Sequence, residues 1–501
     1  MGQITAEELI SLGSRFCIDI DHKRAMGLLG TVDDMLESIQ YLNNARTSGE
    51  ELSPNPTTSE ERTWSEPKQN PYGAIAVQCS VPPVSGGILD GVQVGIKDVI
   101  SVAGVPMRCG SRTMHDFVAT RDATVVRRLL RSGASITMKT ACDEFAGSAR
   151  GTTGYGDPIT NPYDDERTAG GSSGGSASAV SMGQVDAALG TDTGGSVRIP
   201  ASLCGVIGYK PTYGLIPLTG IVENTFTLDH VGIFANSVSD VAVILQVLAG
   251  AAASDPASMA AASRPEYCVG GYSEAVMSAP DASNLKIGVL EEGMGDGVST
   301  EVIDRTEASV DALKDSGAQI NSVSIDSFHD GQPIKNALSF VDLATHWRDG
   351  AVPYRRDGHN ENYQERFSRA RDESSSNLSD FYMSKLLAGA WVVEAQEGRP
   401  YVRARSERMR LRKAFENTLD DIDAILLPTM PDVAPPIDSV GDWKYDFARN
   451  TRAANVTHLP AVTLPNGLVS GLPVGLQLMG SLFADASLLS TAVTVFDILS
   501  D

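Results

Sequence analysis

Two glycine- and serine-rich stretches constrain this chain more than any other feature. They are Thr168-Ala169-Gly170-Gly171-Ser172-Ser173-Gly174-Gly175-Ser176 and Gly190-Thr191-Asp192-Thr193-Gly194-Gly195-Ser196-Val197-Arg198-Ile199-Pro200. Between them, residues 177–188 are rich in Ala and Val and read as a helix packed beneath two loops. Glycines allow backbone N–H groups to converge where side chains would block approach, and successive N–H groups form a nest for an anion. A flexible spacer is a poor account of this pattern, because it has no use for an apolar helix or for the embedded Asp192 and Arg198.

Three chemistries use loops of this kind. Phosphate binding needs a lysine after the glycines, as in G-x-x-x-x-G-K-S/T, and none follows. A nucleophile elbow is formally matched by Gly171-Ser172-Ser173-Gly174-Gly175. It requires a strand leading into the turn, whereas Asn161 to Arg167 reads as loop. It also requires a partnered histidine, and His230, His329, His346, His359 and His458 all lack a distinctive setting. The third is a serine nucleophile with a lysine as base.

The remainder of the chain frames these loops. Thr5 and Glu8 form a capping box at the start of a helical, acidic N-terminal region, and Ser53 to Pro71 reads as a linker rich in Pro, Ser, Thr and Glu. Val92 to Ile96 alternates as a strand running into Lys97, Asp122 to Gly133 reads as an amphipathic helix capped by Asp122, and residues 134–138 follow as a strand. A second strand–helix start appears at residues 285–316, and a strand at 423–429 stops at Pro428. The expected organisation is a helical N-terminal arm over 1–80, a catalytic domain over 81–280 plus 431–501, and a smaller helix-rich α/β insertion over 281–430. The Arg403, Arg405, Arg408, Arg410, Arg412 and Lys413 run has no interleaved aromatics and reads as the solvated face of one helix. With 40 basic against 63 acidic side chains, the net charge of −23 disfavours a nucleic-acid partner.

The two loops, together with Cys204-Gly205-Val206-Ile207-Gly208-Tyr209-Lys210-Pro211-Thr212, Gly95-Ile96-Lys97-Asp98 and Gly471-Leu472-Pro473-Val474-Gly475-Leu476-Gln477, resemble the amidase signature family over about residues 85 to 485. Pro82-Pro83, residues 103–107 and Gly110-Ser111-Arg112-Thr113 look most like its stand-alone enantioselective amidases associated with nitrile degradation. The resemblance implies an α/β fold with a mixed central β-sheet covered by helices on both faces. It implies Ser196 as nucleophile, Ser172 as the bridging serine after a cis peptide bond, and Lys97 as base, neutral when it accepts the proton. The backbone N–H groups of Thr193, Gly194, Gly195 and Ser196 would form the oxyanion hole. Ser173 would support the Lys97 network, and Asp192 and Arg198 would brace the loop. The implied reaction is amide hydrolysis to acid plus ammonia or amine through a serine acyl-enzyme, with no metal or cofactor.

Two departures matter. Lys139-Thr140-Ala141-Cys142 stands where many members have Lys-Thr-Asn, and Cys142 reads as a buried core thiol rather than a nucleophile. Arg198-Ile199-Pro200 stands where glutaminase subunits of aminoacyl-tRNA amidotransferases typically carry Gln after the arginine. That subunit role, and carbamate or ester hydrolysis by the same triad, are the alternatives to a stand-alone amidase. The expected partners are a small-molecule amide and a second copy in a homodimer, with neither nucleic acid nor membrane. Six scattered cysteines, an acidic start without an apolar leader, and Ala6 in place of the Ser/Thr that myristoylation of Gly2 would need point to a cytoplasmic setting.

Overall fold

The computed structural model describes residues 4–40, 61–351, 361–374 and 377–500. The chain divides into two compact units, Met1–Pro56 and Thr57–Asp501. In the first, helices Ala6–Arg15 and His22–Gln40 are described. The capping box forms: the Glu8 N–H donates to Thr5 Oγ1 at 3.2 Å, and the Thr5 N–H donates to the Glu8 carboxylate at 2.8 Å. Residues 53–60 of the linker, and Gly2, lie outside the described residues.

The second unit is built on strands β1 (Thr63–Ser65), β2 (Ile75–Val81), β3 (Gln93–Lys97), β4 (Ser135–Thr140), β5 (Thr160–Asn161), β6 (Asp164–Thr168), β7 (Ala187–Asp192), β8 (Ile207–Lys210), β9 (His230–Ala235), β10 (Lys286–Leu290), β11 (Gln319–Val323), β12 (Ala424–Pro428), β13 (Ala461–Val469) and β14 (Leu472–Met479). All but β5 and β6 join one sheet in the order β1-β2-β4-β3-β7-β9-β8-β13-β14-β12-β10-β11. The sheet is mixed: β3 runs parallel to β4 and β7, β10 runs parallel to β11 and β12, and the pairings from β7 through β14 to β12 are antiparallel.

Apolar side chains leave both faces, as the alternation of a strand requires. Leu189 and Ile233 enter one core with helices Thr124–Arg131 and Val238–Leu248; the adjacent Ala188 and Phe234 enter another with helices Gly174–Ser181 and Arg198–Cys204. The expected α/β architecture, with helices over both faces, is what the chain adopts.

Several local expectations shift. Residues 75–81 belong to the sheet rather than to a helical arm, with every second side chain buried. Segment 281–430 continues the same sheet through β10, β11 and β12. Asn161–Arg167, read as loop, forms most of the β5–β6 hairpin. Ala187 and Ala188, read as the end of a helix, begin β7, because the helix stops at Ser181 and small side chains fit a strand buried on both faces. Asp122 is not a helix cap. Arg62 holds it in a buried two-pronged ion pair at 2.7 and 2.9 Å, and the neighbouring N-cap residue is Ala123. The long basic helix, Arg399–Leu419, is mostly solvated, but Arg412 turns inward and donates to the Thr457 carbonyl and to His458.

Candidate active site

β3 and β7 are parallel neighbours, and both end at one place: Lys97 closes β3, and Asp192 closes β7. Loops at the carboxyl ends of such strands are the usual location for ligand chemistry in an α/β sheet.

Lys97 is fully buried, and its Nζ donates to Ser172 Oγ at 2.8 Å and to Thr191 Oγ1 at 2.8 Å. Burial pushes its ammonium down to about 8, against the opposing pull of Cys142, Asp143, Asp192 and Asp229. An amine in that position can lose its proton near neutral pH, which a surface lysine cannot. Burial pushes the Cys142 thiol up to about 12, so it is no competing nucleophile.

Ser172 is held by its surroundings. The Gly171–Ser172 peptide bond is cis, and the Asp143 N–H donates to the Ser172 carbonyl at 3.2 Å. A side chain at 171 would place its Cβ 1.9 Å from the Asp143 carboxylate, which explains the glycine. Asp143 is itself fixed by the N–H groups of Gly151 and Thr153 and by the Thr153 hydroxyl.

Ser173 joins the two loops. Its N–H donates to the Ser196 carbonyl at 3.2 Å, its hydroxyl donates to the Thr191 carbonyl, and it accepts from the Thr191 N–H. Its link to Lys97 runs through Thr191, whose hydroxyl accepts from the Lys97 amine, and not by a direct hydrogen bond. The Ser172 and Ser196 hydroxyls make no hydrogen bond to each other here. Catalytic hydrogen bonds often tighten only when substrate is bound.

The N–H groups expected to form an oxyanion hole do not behave alike. The Gly195 N–H donates to Asp192 Oδ1 at 2.7 Å, so it already has a strong charged acceptor. Those of Thr193, Gly194 and Ser196 donate to no acceptor among the described residues and border a cleft of about 240 Å³. Gly195 sits at φ +129°, and a Cβ there would fall 2.1 Å from Thr451 Oγ1. The Gly195 N–H is thus the one of the four already occupied, because the Asp192 carboxylate folds back onto its own loop.

Asp192 and Arg198 form a buried, two-pronged ion pair at 2.9 and 3.0 Å. Although burial alone would raise it, Arg198, Lys210 and Asn455 hold the Asp192 carboxyl well below the usual carboxylate range. Arg198 further donates to the Thr451 carbonyl, Gln477 Oε1 and Asn455 Oδ1, each at 2.7 Å. Thr451 in turn donates to the Gly194 carbonyl at 2.7 Å, and the Thr193 hydroxyl donates to Asp229 at 2.7 Å. The sequence carries no signal for the parts played by Asp143, Asp229, Thr451 and Asn455. Thr191 and Gln477 stand within the 190–200 and 471–477 segments, but nothing there marks their partners.

No histidine bonds Ser172, Ser173 or Ser196 among the described residues, and His359 lies outside them. Among the described residues, no group of three or more His, Cys, Asp or Glu is placed to hold a metal, and no helix is long and apolar enough to cross a membrane.

The profile of the family described as Amidase matches residues 79–489. The chain is 35% identical over 428 residues to a glutamyl-tRNA(Gln) amidotransferase subunit of Halobacterium salinarum, covering 84% of this chain and 99% of that protein. A crystal structure of the corresponding Thermotoga maritima protein superposes with TM-score 0.68 and 29% identity, covering 89% of this chain and 92% of that one. Native peptide amidase from Stenotrophomonas maltophilia superposes with TM-score 0.68 and 29% identity over 82% of this chain and 83% of its own. These relatives overturn one expectation. A self-sufficient homodimer with only a small amide as partner does not fit similarity to proteins named as subunits. Net charge averages over the whole surface and says little about one docking face, which is why composition misleads. The chain belongs to the amidase signature family, whose enzymes act on amide C–N bonds.

Proposed function

We propose that this chain hydrolyses the side-chain amide of glutamine and serves as the ammonia-releasing subunit of an amidotransferase-type assembly. The observation that carries the hydrolytic part is the buried Lys97 amine 2.8 Å from Ser172 Oγ, beside a cleft bordered by Ser196. The subunit role draws its support from the 35% identity that spans nearly all of the Halobacterium salinarum protein.

In this reading Ser196 Oγ attacks the amide carbon while its proton passes to Ser172 and the Ser172 proton passes to neutral Lys97. The negative oxygen that forms is met by the N–H groups of Thr193, Gly194 and Ser196. Each preorganised donor stabilises the transition state by about 3 kcal/mol. The tetrahedral species collapses and the C–N bond breaks. Nitrogen takes a proton delivered from Lys97 through Ser172, and ammonia leaves an acyl-Ser196. Water then attacks the ester by the same proton route, giving the acid and free Ser196. The balance is amide plus water to carboxylic acid plus ammonia.

A second reading, a stand-alone amidase for less polar amides, is favoured by Ile199, which lines the cleft as an apolar wall where glutaminase subunits typically carry Gln. Esters and carbamates would react by the same route. Ammonia or amine release should be measured across glutamine, aliphatic and aryl amides and carbamates, with Ser196→Ala as control, together with the mass of the purified assembly. Glutamine turnover in company with a stoichiometric partner is the expected result. Aryl or aliphatic amide turnover by the isolated chain, with glutamine inert, would replace it with the second reading. Full ammonia release by Ser196→Ala would remove the nucleophile.

A further inference from the structure

The basic run at residues 403–413 leaves one cluster that the Ser196 site does not use. Arg405, Arg408 and Arg412 stand at i, i+3 and i+7 of helix Arg399–Leu419, so they share one face of it. Arg408 feels the like charge of Arg405, and Arg412 feels those of Arg408 and Arg264, which follows helix Pro256–Ala262. Four guanidinium groups thus gather in a chain whose net charge is −23.

Their partners do not balance them. Arg410, on the neighbouring face, takes Glu407 and Asp330, and Arg264 has only a 3.4 Å contact with Glu266. Arg412 is 8% exposed; it donates to the Thr457 carbonyl at 2.8 Å and to His458 Nδ1 at 2.6 Å, and pairs with no described carboxylate. Arginine only donates, so His458 Nδ1 is the acceptor and its Nε2 carries the hydrogen, which goes to the Thr227 carbonyl at 2.8 Å. Arg408 Nη1, 3.4 Å from that Nε2, therefore faces another donor. Arg408 Nε is buried with no acceptor, and Arg405 makes no hydrogen bond or ion pair with any described residue.

Cations drawn out of water are costly unless an anion completes them. A carboxylate fills one guanidinium fork, whereas a phosphate group brings more charge and more oxygens, which suits several arginines at once. A nucleic-acid backbone calls for cations spaced along a path, and these gather around Arg408 and Arg412 instead. We infer that Arg405, Arg408 and Arg412, with Arg264, form a binding site for the phosphate group of a small molecule. One short helix links this site to the Ser196 loop. Arg412 and His458, at φ +70°, close the carboxyl end of helix Arg452–Thr457. From that helix Asn455 donates to the Asp192 carbonyl at 3.0 Å and to its carboxylate at 2.8 Å, and Thr451, just before it, holds the Gly194 carbonyl. An anion that fixes Arg412 therefore also steadies the helix that braces the Ser196 loop. The inference goes beyond the glutamine reading and stands whichever amide is the substrate.

The test follows thermal unfolding of the full chain in sodium chloride, and then with millimolar sodium phosphate at the same pH and ionic strength. Phosphate should raise Tm by about 2 °C or more, and the rise should saturate. Arg408→Gln and Arg405→Gln should each remove most of it; Arg405 is exposed, which guards against an Arg408 variant that folds poorly. Arg403→Gln, on the opposite face of the same helix, should keep the whole rise. Adenosine monophosphate should act at least as well as inorganic phosphate. In phosphate, amide hydrogen exchange over residues 451–458 should slow about fivefold or more in the intact protein, and far less in Arg408→Gln. No saturable rise in the intact protein overturns the site. So does an equal rise in every variant, which is general salt stabilisation. A short RNA that raises Tm at concentrations where phosphate and adenosine monophosphate do nothing overturns the small-molecule assignment. Protection that spares 451–458 overturns the link to the Ser196 loop.

Discussion

At the scale of single residues, the site depends on two buried charges whose environments push them in opposite useful directions. Lys97 is lowered from the ordinary lysine value to about 8 by burial, so its neutral, proton-accepting form grows as pH rises. With a neutral amide as substrate, kcat/KM should climb about tenfold per pH unit below 8 and level off above it. A flat pH–rate profile between 6 and 9 would exclude Lys97 as the base. Asp192 serves by staying ionised. Its pairing with Arg198 contributes stability that is present above the usual carboxylate range and lost as pH falls below it. Asp192→Asn should destabilise the fold by about 3–5 kcal/mol, because it strands Arg198 without its counter-charge. Chemical denaturation measures this, and a change under about 1 kcal/mol would contradict it. Lys97, Ser172, Ser196, Asp192 and Arg198 are legible in the sequence because all sit in compact motifs. Thr191 as the second acceptor for Lys97, and the loss of the Gly195 N–H to Asp192, are not. Both depend on where the chain folds back upon itself.

At the scale of elements, buried strands are legible through their apolar runs, and β10 and β12 lie within one residue of where those runs place them. What misleads is chemistry that serves two purposes: alanines suit a helix and a doubly buried strand alike, and an aspartate before a helix can cap it or pair across the fold. The helices that wall the cleft carry a constraint invisible in their composition. Gly389, within helix Asp380–Ala395, crosses helix Gly331–Arg348 so closely that a Cβ would lie 1.8 Å from the Phe340 carbonyl. Gly389→Ala should force the pair apart at a cost of about 1–3 kcal/mol. Because these helices bring Phe381, Lys385 and Lys335 to the cleft, KM should rise more than kcat falls. A lowered Tm with unchanged KM would show that the cleft wall tolerates the shift.

At the scale of the whole molecule, every candidate catalytic side chain and the entire twelve-stranded sheet belong to the Thr57–Asp501 unit. A chain beginning at Thr57 should therefore keep the turnover and main thermal transition of the full protein. Loss of turnover in a still-folded truncation would assign the first unit a part in the chemistry. Within the larger unit, Arg198 carries a further consequence. Its hydrogen bonds tie the Ser196 loop to Thr451, Asn455 and Gln477, which lie 253, 257 and 279 residues downstream. During synthesis, the glycine loops leave the ribosome long before those partners exist. A nascent chain that has not reached Gln477 exposes Ser196 without the full bracing of its loop, so reactivity should be withheld until Gln477 has been added. Fragments released early from the ribosome should be chemically silent even though they contain Lys97, Ser172 and Ser196.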